Sequence, residues 1–292
     1  MDSSRVSERA RYLKLAALSL AEGMRAGSFK SAFRGRGVDF DGVREYERGD
    51  DIRSIDWNVT ARMGKPFVKL WREERELVVF VVLDLSLSMH AGSRSRRDQA
   101  VEAAALIAFA AEQTSSPLGS VVFDGAVGPV FKPRVGKDQV LAVVSSFDHF
   151  APRERGSALA SALAGAARAL RNRSLVVAIS DFRVDGYEKE LGILARKHDV
   201  LAVRVVSPTD EALPDAGYLP FRDPETGVAV SYPTSSRAFR EAWAREHREG
   251  IHRWEHLAAR RGVANLVLST EDDAALVLTR FFSGPSLRGG DR

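Results

Sequence analysis

No cysteine occurs anywhere in the 292 residues. That excludes a disulfide framework and any thiolate metal centre, and it fits a cytoplasmic chain. Also missing is an unbroken apolar run of the roughly 18 residues that a membrane-spanning helix needs. The N-terminal stretch MDSSRVSERARYLKLAALSLAEGMRAG places Glu8 and Lys14 where a secretory leader would be apolar, so no signal peptide is expected. Its apolar spacing predicts a helix from about Ser7 to Ala26. Lysine-arginine blocks with interleaved aromatics are absent, and the formal charge is only +4, so nucleic acid is not an expected partner. The chain lacks a glycine-rich phosphate loop ending in Lys and Ser or Thr, so it is not itself a P-loop ATPase. The histidines (90, 149, 198, 247, 252 and 256) form no metal motif.

What is present is a regular alternation. With 45% hydrophobic residues the chain can bury a large core without staples. From Leu77 onward, continuous apolar runs alternate with segments whose apolar positions recur every three or four residues. VVFVVLD, GSVVFDG, RSLVVAISDF, VLAVRVVSP and VANLVLST read as strands. The segments between them, including RRDQAVEAAALIAFAAEQ, KDQVLAVVSSF, GSALASALAGAARALRN and EKELGILARKHD, read as helices. GPVFKPR suits an edge strand, GYLPFRDPETGVAVSYP an inserted hairpin turning at Asp223–Gly227, and residues 236–260 a long helix. This order predicts an α/β domain with a mostly parallel central sheet flanked by helices over residues 76–283. Residues 1–75 form an N-terminal extension of a helix plus a strand near Phe67–Trp71. Residues 284–292 read as a disordered tail.

In such sheets ligands bind at the carboxyl ends of the strands, near the reversal in strand order. The first buried strand ends in DLSLS, which puts Asp84, Ser86 and Ser88 on one side of an extended loop. RERGSALASAL supplies Ser157 at a helix start, and AISDF supplies Asp181 at another strand end. Taken singly, Asp84 suits a strand-end turn, Ser157 a helix N-cap and Asp181 a loop cap. Taken together they offer oxygen ligands alone, which suits a hard cation, Mg2+ or Mn2+.

This order of motifs resembles the metal-ion-dependent adhesion site of von Willebrand factor A domains. The resemblance implies that Ser86, Ser88 and Ser157 ligate the ion directly and that Asp84 and Asp181 act mostly through its waters. An Asp or Glu carboxylate from a partner protein would fill the open position. Family members usually carry Thr where this chain has Ser157, which keeps the hydroxyl. A second resemblance is carried by GRGVDFDGVREYERGDDIRSIDWNVTAR, which is similar to the domain of unknown function 58 family. Matching positions include Gly35, Gly37, Phe40, Arg44, Glu45, Tyr46, Gly49, Asp50, Asp51, Arg53, Asp56, Trp57 and Arg62. Members contain a Rossmann-like von Willebrand factor A domain and occur beside MoxR-type AAA+ ATPases, so the resemblance implies such a motor as partner.

The arginines of the signature suit bidentate pairing with its carboxylates, and Trp57 is expected to be buried. Two functional classes follow. The leading one is a non-enzymatic module that captures a partner carboxylate through a divalent ion, as adaptor or assembly factor. The alternative is a metal-dependent hydrolase using the same aspartates and serines, against which stands the lack of a separate general base.

Overall fold

The computed structural model describes residues 15–24, 38–73, 77–90, 95–223 and 227–283. Gly35, Gly37, the hairpin-turn residues 224–226 and the tail from 284 lie outside them, as do all residues before α1 (residues 15–24). The chain divides into two compact units, Phe33–Glu76 and Met1–Ala32 with Leu77–Arg292.

In the smaller unit β1 (Val38–Glu45) lies antiparallel to β2 (Phe67–Glu73), with a register shift between Phe40 and Gly42. The short helix α2 (Trp57–Met63) lies between them. Periodicity predicts β2 and misses the other two, because β1 is bulged and α2 spans two turns. Local polar groups define α2 instead. Asp56 Oδ1 accepts the N–H groups of Asn58 (3.0 Å) and Val59 (3.2 Å), and Gly64 closes the helix at φ 69°.

The signature residues pair less widely than their charges predict. Arg44 makes a two-pronged contact with Asp50 (2.8 and 2.6 Å), following a turn in which Gly49 adopts φ 114°. Asp51 accepts the N–H of Arg53 (3.0 Å), and Glu45 meets Lys65 at 3.3 Å. Tyr46 donates its N–H to the Pro66 carbonyl (2.9 Å). Among the described residues neither Arg53 nor Arg62 forms an ion pair. Trp57, expected inside, is 67% exposed. It opens a helix with no buried residue, which its cap rather than an apolar face holds in place.

The larger unit contains β3 (Val79–Asp84), β4 (Leu118–Phe123), β5 (Val127–Arg134), β6 (Leu175–Ser180), β7 (Asp199–Val206), β8 (Tyr218–Arg222), β9 (Ala229–Pro233) and β10 (Ala264–Ser269). β8 and β9 pair as the expected antiparallel hairpin. The others form one six-stranded sheet in the order β10-β7-β6-β3-β4-β5, parallel except for β5 at one edge. Pro129 and Pro133 interrupt that edge, removing donors that another strand would need.

All six residues of β3, of β4 and of β6 are buried, as the continuous apolar runs require of strands covered on both faces. On one face Phe80, Val82, Val176, Ala178 and Ala202 pack with α5 (Leu159–Ala169), α6 (Glu188–Lys197) and α8 (Arg237–Arg260). The opposite face is covered by α3 (Arg96–Gln113), set between α4 (Lys137–His149) and α9 (Ala274–Ser283). Alanines at 100, 103, 104, 108, 110 and 111 are all buried, so α3 sits close to the sheet on several sides. Helix α1 buries Ala17, Leu20, Ala21 and Met24 at helical spacing. At Gly23 an added Cβ would lie 3.1 Å from Phe282 Cβ, which places α1 tightly against α9. Each fully buried Val, Leu or Phe contributes about 1.5–3 kcal/mol. The remaining helix, α7 (Pro208–Glu211), follows β7 and carries a capping box between Ser207 and Asp210.

Candidate metal and ligand site

The chain leaves β3 for β4 on one side of it, then returns to β6 on the other. The reversal in strand order therefore falls between β3 and β6. Asp84 ends β3, Ser180 ends β6, and Asp181 follows immediately.

Asp84 is buried and fully engaged. Its Oδ1 accepts the N–H of Ser86 (2.9 Å), the strand-end turn its position suggests, and its Oδ2 accepts the Ser180 hydroxyl (2.6 Å). The Ser86 and Ser88 hydroxyl oxygens lie 3.0 Å apart. Burial, and then the neighbouring Asp181 charge, push the Asp84 carboxyl up to about 7. The Asp181 carboxylate is thus close enough to oppose the ionisation of Asp84.

Asp181 is held by a tight turn. Its Oδ1 accepts the N–H of Arg183 (3.1 Å). Phe182 between them takes φ 50°, a left-handed conformation unusual for a side chain of this size. Packing fixes it there, with ring centroids 5.5 Å from Tyr187 and 5.3 Å from Trp254. The Phe182 N–H donates to the Ser180 hydroxyl (3.0 Å), which itself donates to Asp84. The loops after β3 and β6 are therefore joined by side-chain bonds as well as by the sheet.

Ser157 lies just before α5 without capping it; Ala158 occupies the cap position. Its loop is tied to the end of β4, the neighbour of β3. Asp124 Oδ2 accepts the N–H groups of Arg153 (2.7 Å) and Glu154 (3.1 Å), and the Asp124 carbonyl accepts the N–H of Ala158 (2.7 Å). Burial pushes the Asp124 carboxyl up, but these donors, with the Ala126 N–H, outweigh it and hold the group below its ordinary value. At Gly125 an added Cβ would stand 2.0 Å from the Arg155 carbonyl oxygen, so the loop rests directly on this glycine.

Two oxygens in this region are buried without a hydrogen-bond partner among the described residues: Ser157 Oγ and Asp181 Oδ2. Leaving such atoms unsatisfied costs about 1–3 kcal/mol each. The donor set therefore fits a hard cation. Among the described residues no group of three or more His, Cys, Asp or Glu side chains could hold a metal ion. A cation here must draw on hydroxyls together with Asp84 and Asp181.

Residues 42–253 match the family described as protein of unknown function DUF58. The chain belongs to that family. Uncharacterized protein Rv1480 of Mycobacterium tuberculosis and uncharacterized protein Mb1516 of Mycobacterium bovis are each 31% identical to it over 279 residues, 94% of this chain and 87% of theirs. Among solved structures, the conserved hypothetical protein BatB from Bacteroides thetaiotaomicron is similar at 17% identity and a TM-score of 0.48, covering 71% of this chain and 97% of BatB. An aerotolerance-related membrane protein from Bacteroides fragilis gives 19% identity, a TM-score of 0.48 and coverages of 69% and 94%. In this DUF58 member no described helix is long and apolar enough to cross a membrane.

Several residues at the DUF58 site are not evident from the sequence. Ser180 and Asp124 stand at strand ends and could be found by extending the strand-end rule applied to Asp84 and Asp181. Arg96 and Asp210 carry no such signal. Arg96 opens α3, is buried, pairs with Asp210 and donates to the Ser88 carbonyl (3.3 Å).

Proposed function

We propose that this protein is a metal-dependent interaction module. A divalent cation, Mg2+ or Mn2+, is held by Asp84, Ser86, Ser88, Ser157 and Asp181, and an Asp or Glu carboxylate of a partner protein completes its coordination. The observation that carries the reading is the pair of buried oxygens without a hydrogen-bond partner among the described residues, Ser157 Oγ before α5 and Asp181 Oδ2 after β6, together with the joined Ser86 and Ser88 hydroxyls after β3. The reversal of strand order between β3 and β6 supports assigning the domain to the von Willebrand factor A type. The ion supplies a Lewis-acidic position for an acidic side chain; the protein supplies fixed hydroxyl and carboxylate oxygens. On the family resemblance, the partner is a MoxR-type AAA+ ATPase or a client it acts upon, and the chain works as adaptor or assembly factor in the cytoplasm.

The test is thermal unfolding with Mg2+ or with EDTA. A ligand that binds the folded chain raises its Tm by mass action. Wild type is expected to gain several degrees in Mg2+. Ser157→Ala is expected to lose that gain while matching wild type in EDTA, because its hydroxyl has no hydrogen-bond partner among the described residues. Capture of the ATPase should likewise disappear in EDTA. A wild-type Tm indifferent to Mg2+ removes the ion from the function.

A further inference from the structure

Beside the candidate metal site lies a cluster that the metal reading does not use. Asp210 Oδ1 accepts a hydrogen bond from the Arg96 guanidinium and forms an ion pair with that of Arg183 at 2.7 Å. Its Oδ2 accepts the N–H of Ser207 (2.9 Å). The two arginines differ in one respect that matters. The Arg96 side chain is 3% exposed, whereas that of Arg183 is 44% exposed. Arg204, paired in register with Ser180 across β6 and β7, is a third cation and, like Arg96, is buried. It donates to the Gly250 carbonyl (3.2 Å), lies 5.6 Å from the Trp254 ring centroid, and feels Arg183, Asp181 and Asp210. Nearby Glu211 is engaged with Arg248 at 3.1 Å, and burial holds His247 towards its neutral form.

Three guanidinium groups therefore face two carboxylates, Asp181 and Asp210. A cation on Asp84 and Asp181 would occupy one of those two, leaving three guanidiniums against Asp210 alone. The cluster is short of negative charge, and its accessible member is Arg183, whose backbone N–H is already fixed on Asp181.

We propose that Arg183 is a ligand-binding residue: it leaves Asp210 and pairs with the partner carboxylate that the ion captures, one oxygen going to the ion and the other to the guanidinium. Asp210 stays compensated during the exchange by Arg96 and the Ser207 N–H. The site thereby distinguishes a carboxylate, which has two acceptor oxygens, from a carboxamide or hydroxyl. This inference rests on the metal reading above and adds the second contact to it.

The experiment uses the full 15N-labelled chain and, as probe, a blocked glycine peptide carrying one aspartate, with its asparagine counterpart as control. Mg2+ is added first and should move the amide signals of Ser86 and Ser88. No movement overturns the metal reading, and this inference with it, before any peptide is present. The aspartyl peptide should then bind in Mg2+ and the asparagine peptide should not; equal binding of both overturns carboxylate recognition. Arg183→Gln should weaken the aspartyl peptide about tenfold or more, the scale of a lost charge-assisted pair, with the Mg2+ response intact. Arg183→Lys, which keeps the charge and a contact to Asp210, should fall between, and carries the test if the glutamine variant folds poorly. Arg248→Gln, which removes an exposed charge in the same region, should bind within about twofold of wild type. Wild-type peptide affinity in Arg183→Gln or Arg183→Lys sinks the proposal while leaving the metal site standing.

Discussion

Asp84 illustrates a residue whose folded environment works against its charge. Buried beside Asp181, its carboxyl titrates near 7 rather than at the ordinary 3.8. Between those two values the folded chain holds a proton that the unfolded chain has lost. Stability of the metal-free protein therefore falls as pH rises from about 4 to about 7 on account of this group, and the loss is complete above 7. Asp84→Asn keeps the acceptor for the Ser86 N–H and can still bond to the Ser180 hydroxyl. It is expected to raise the stability of the metal-free chain at pH 7.5 by roughly 2 kcal/mol, to be neutral below pH 4, and to lose the Mg2+ response. Urea unfolding in EDTA at the two pH values measures this; a variant less stable than wild type at pH 7.5 contradicts it. At this scale the sequence was partly legible. Asp84, Ser86 and Ser88 could be read because an apolar run ends on alternating oxygens. Asp210 could not, because its partner Arg96 lies 114 positions away and only folding brings the two together.

Among the elements, the loop before α5 shows how placement depends on a neighbour. Asp124 holds it by three backbone donors, and Gly125 leaves room for the Arg155 carbonyl. Gly125→Ala is expected to push residues 153–157 away from β4, costing about 1–3 kcal/mol as an overpacked contact and abolishing the Mg2+ response without touching any proposed ligand. Heteronuclear spectra would show the amide signals of 153–158 displaced and those of β3 and β6 preserved. An unaltered Mg2+ response in this variant would mean that the Ser157 loop does not contribute to the site. Helices and strands of the larger unit were legible because each has a full apolar face or a fully apolar run. β1 and α2 were not, since a bulge at Gly42 breaks the alternation and α2 buries no residue to leave a pattern. Trp57 was misjudged for the same reason: aromatic area predicts burial only where a core exists to receive it.

Across the whole molecule the two compact units differ in what holds them. The larger has strands in which every residue is buried. In the smaller, among the described side chains, Val68 is the buried hydrophobic, and Arg44 pairs with Asp50 at a partly exposed site. Exposed pairs of that kind contribute about 0–1 kcal/mol. Amide hydrogen exchange should therefore be graded, with β1 and β2 exchanging at least about tenfold faster than β3, β4 and β6. Equal protection in both units would show that the smaller one unfolds only with the sheet. The α/β class and element order were legible at this scale because periodicity accumulates over many residues, whereas the strand order that makes β3 and β6 neighbours is a property of packing.

That strand order also bears on synthesis. The loops that meet at the site leave β3 and β6, neighbours in the sheet separated in the chain by α3, β4, β5, α4 and α5. The Asp210 that compensates Arg96 comes later still. A chain emerging from the ribosome exposes DLSLS long before Asp181, Arg183 and Asp210 exist to complete it. On the proposed function, capture of an acidic partner would be confined to chains synthesised past Asp210 with the sheet closed, so binding would itself discriminate these chains from nascent or truncated ones.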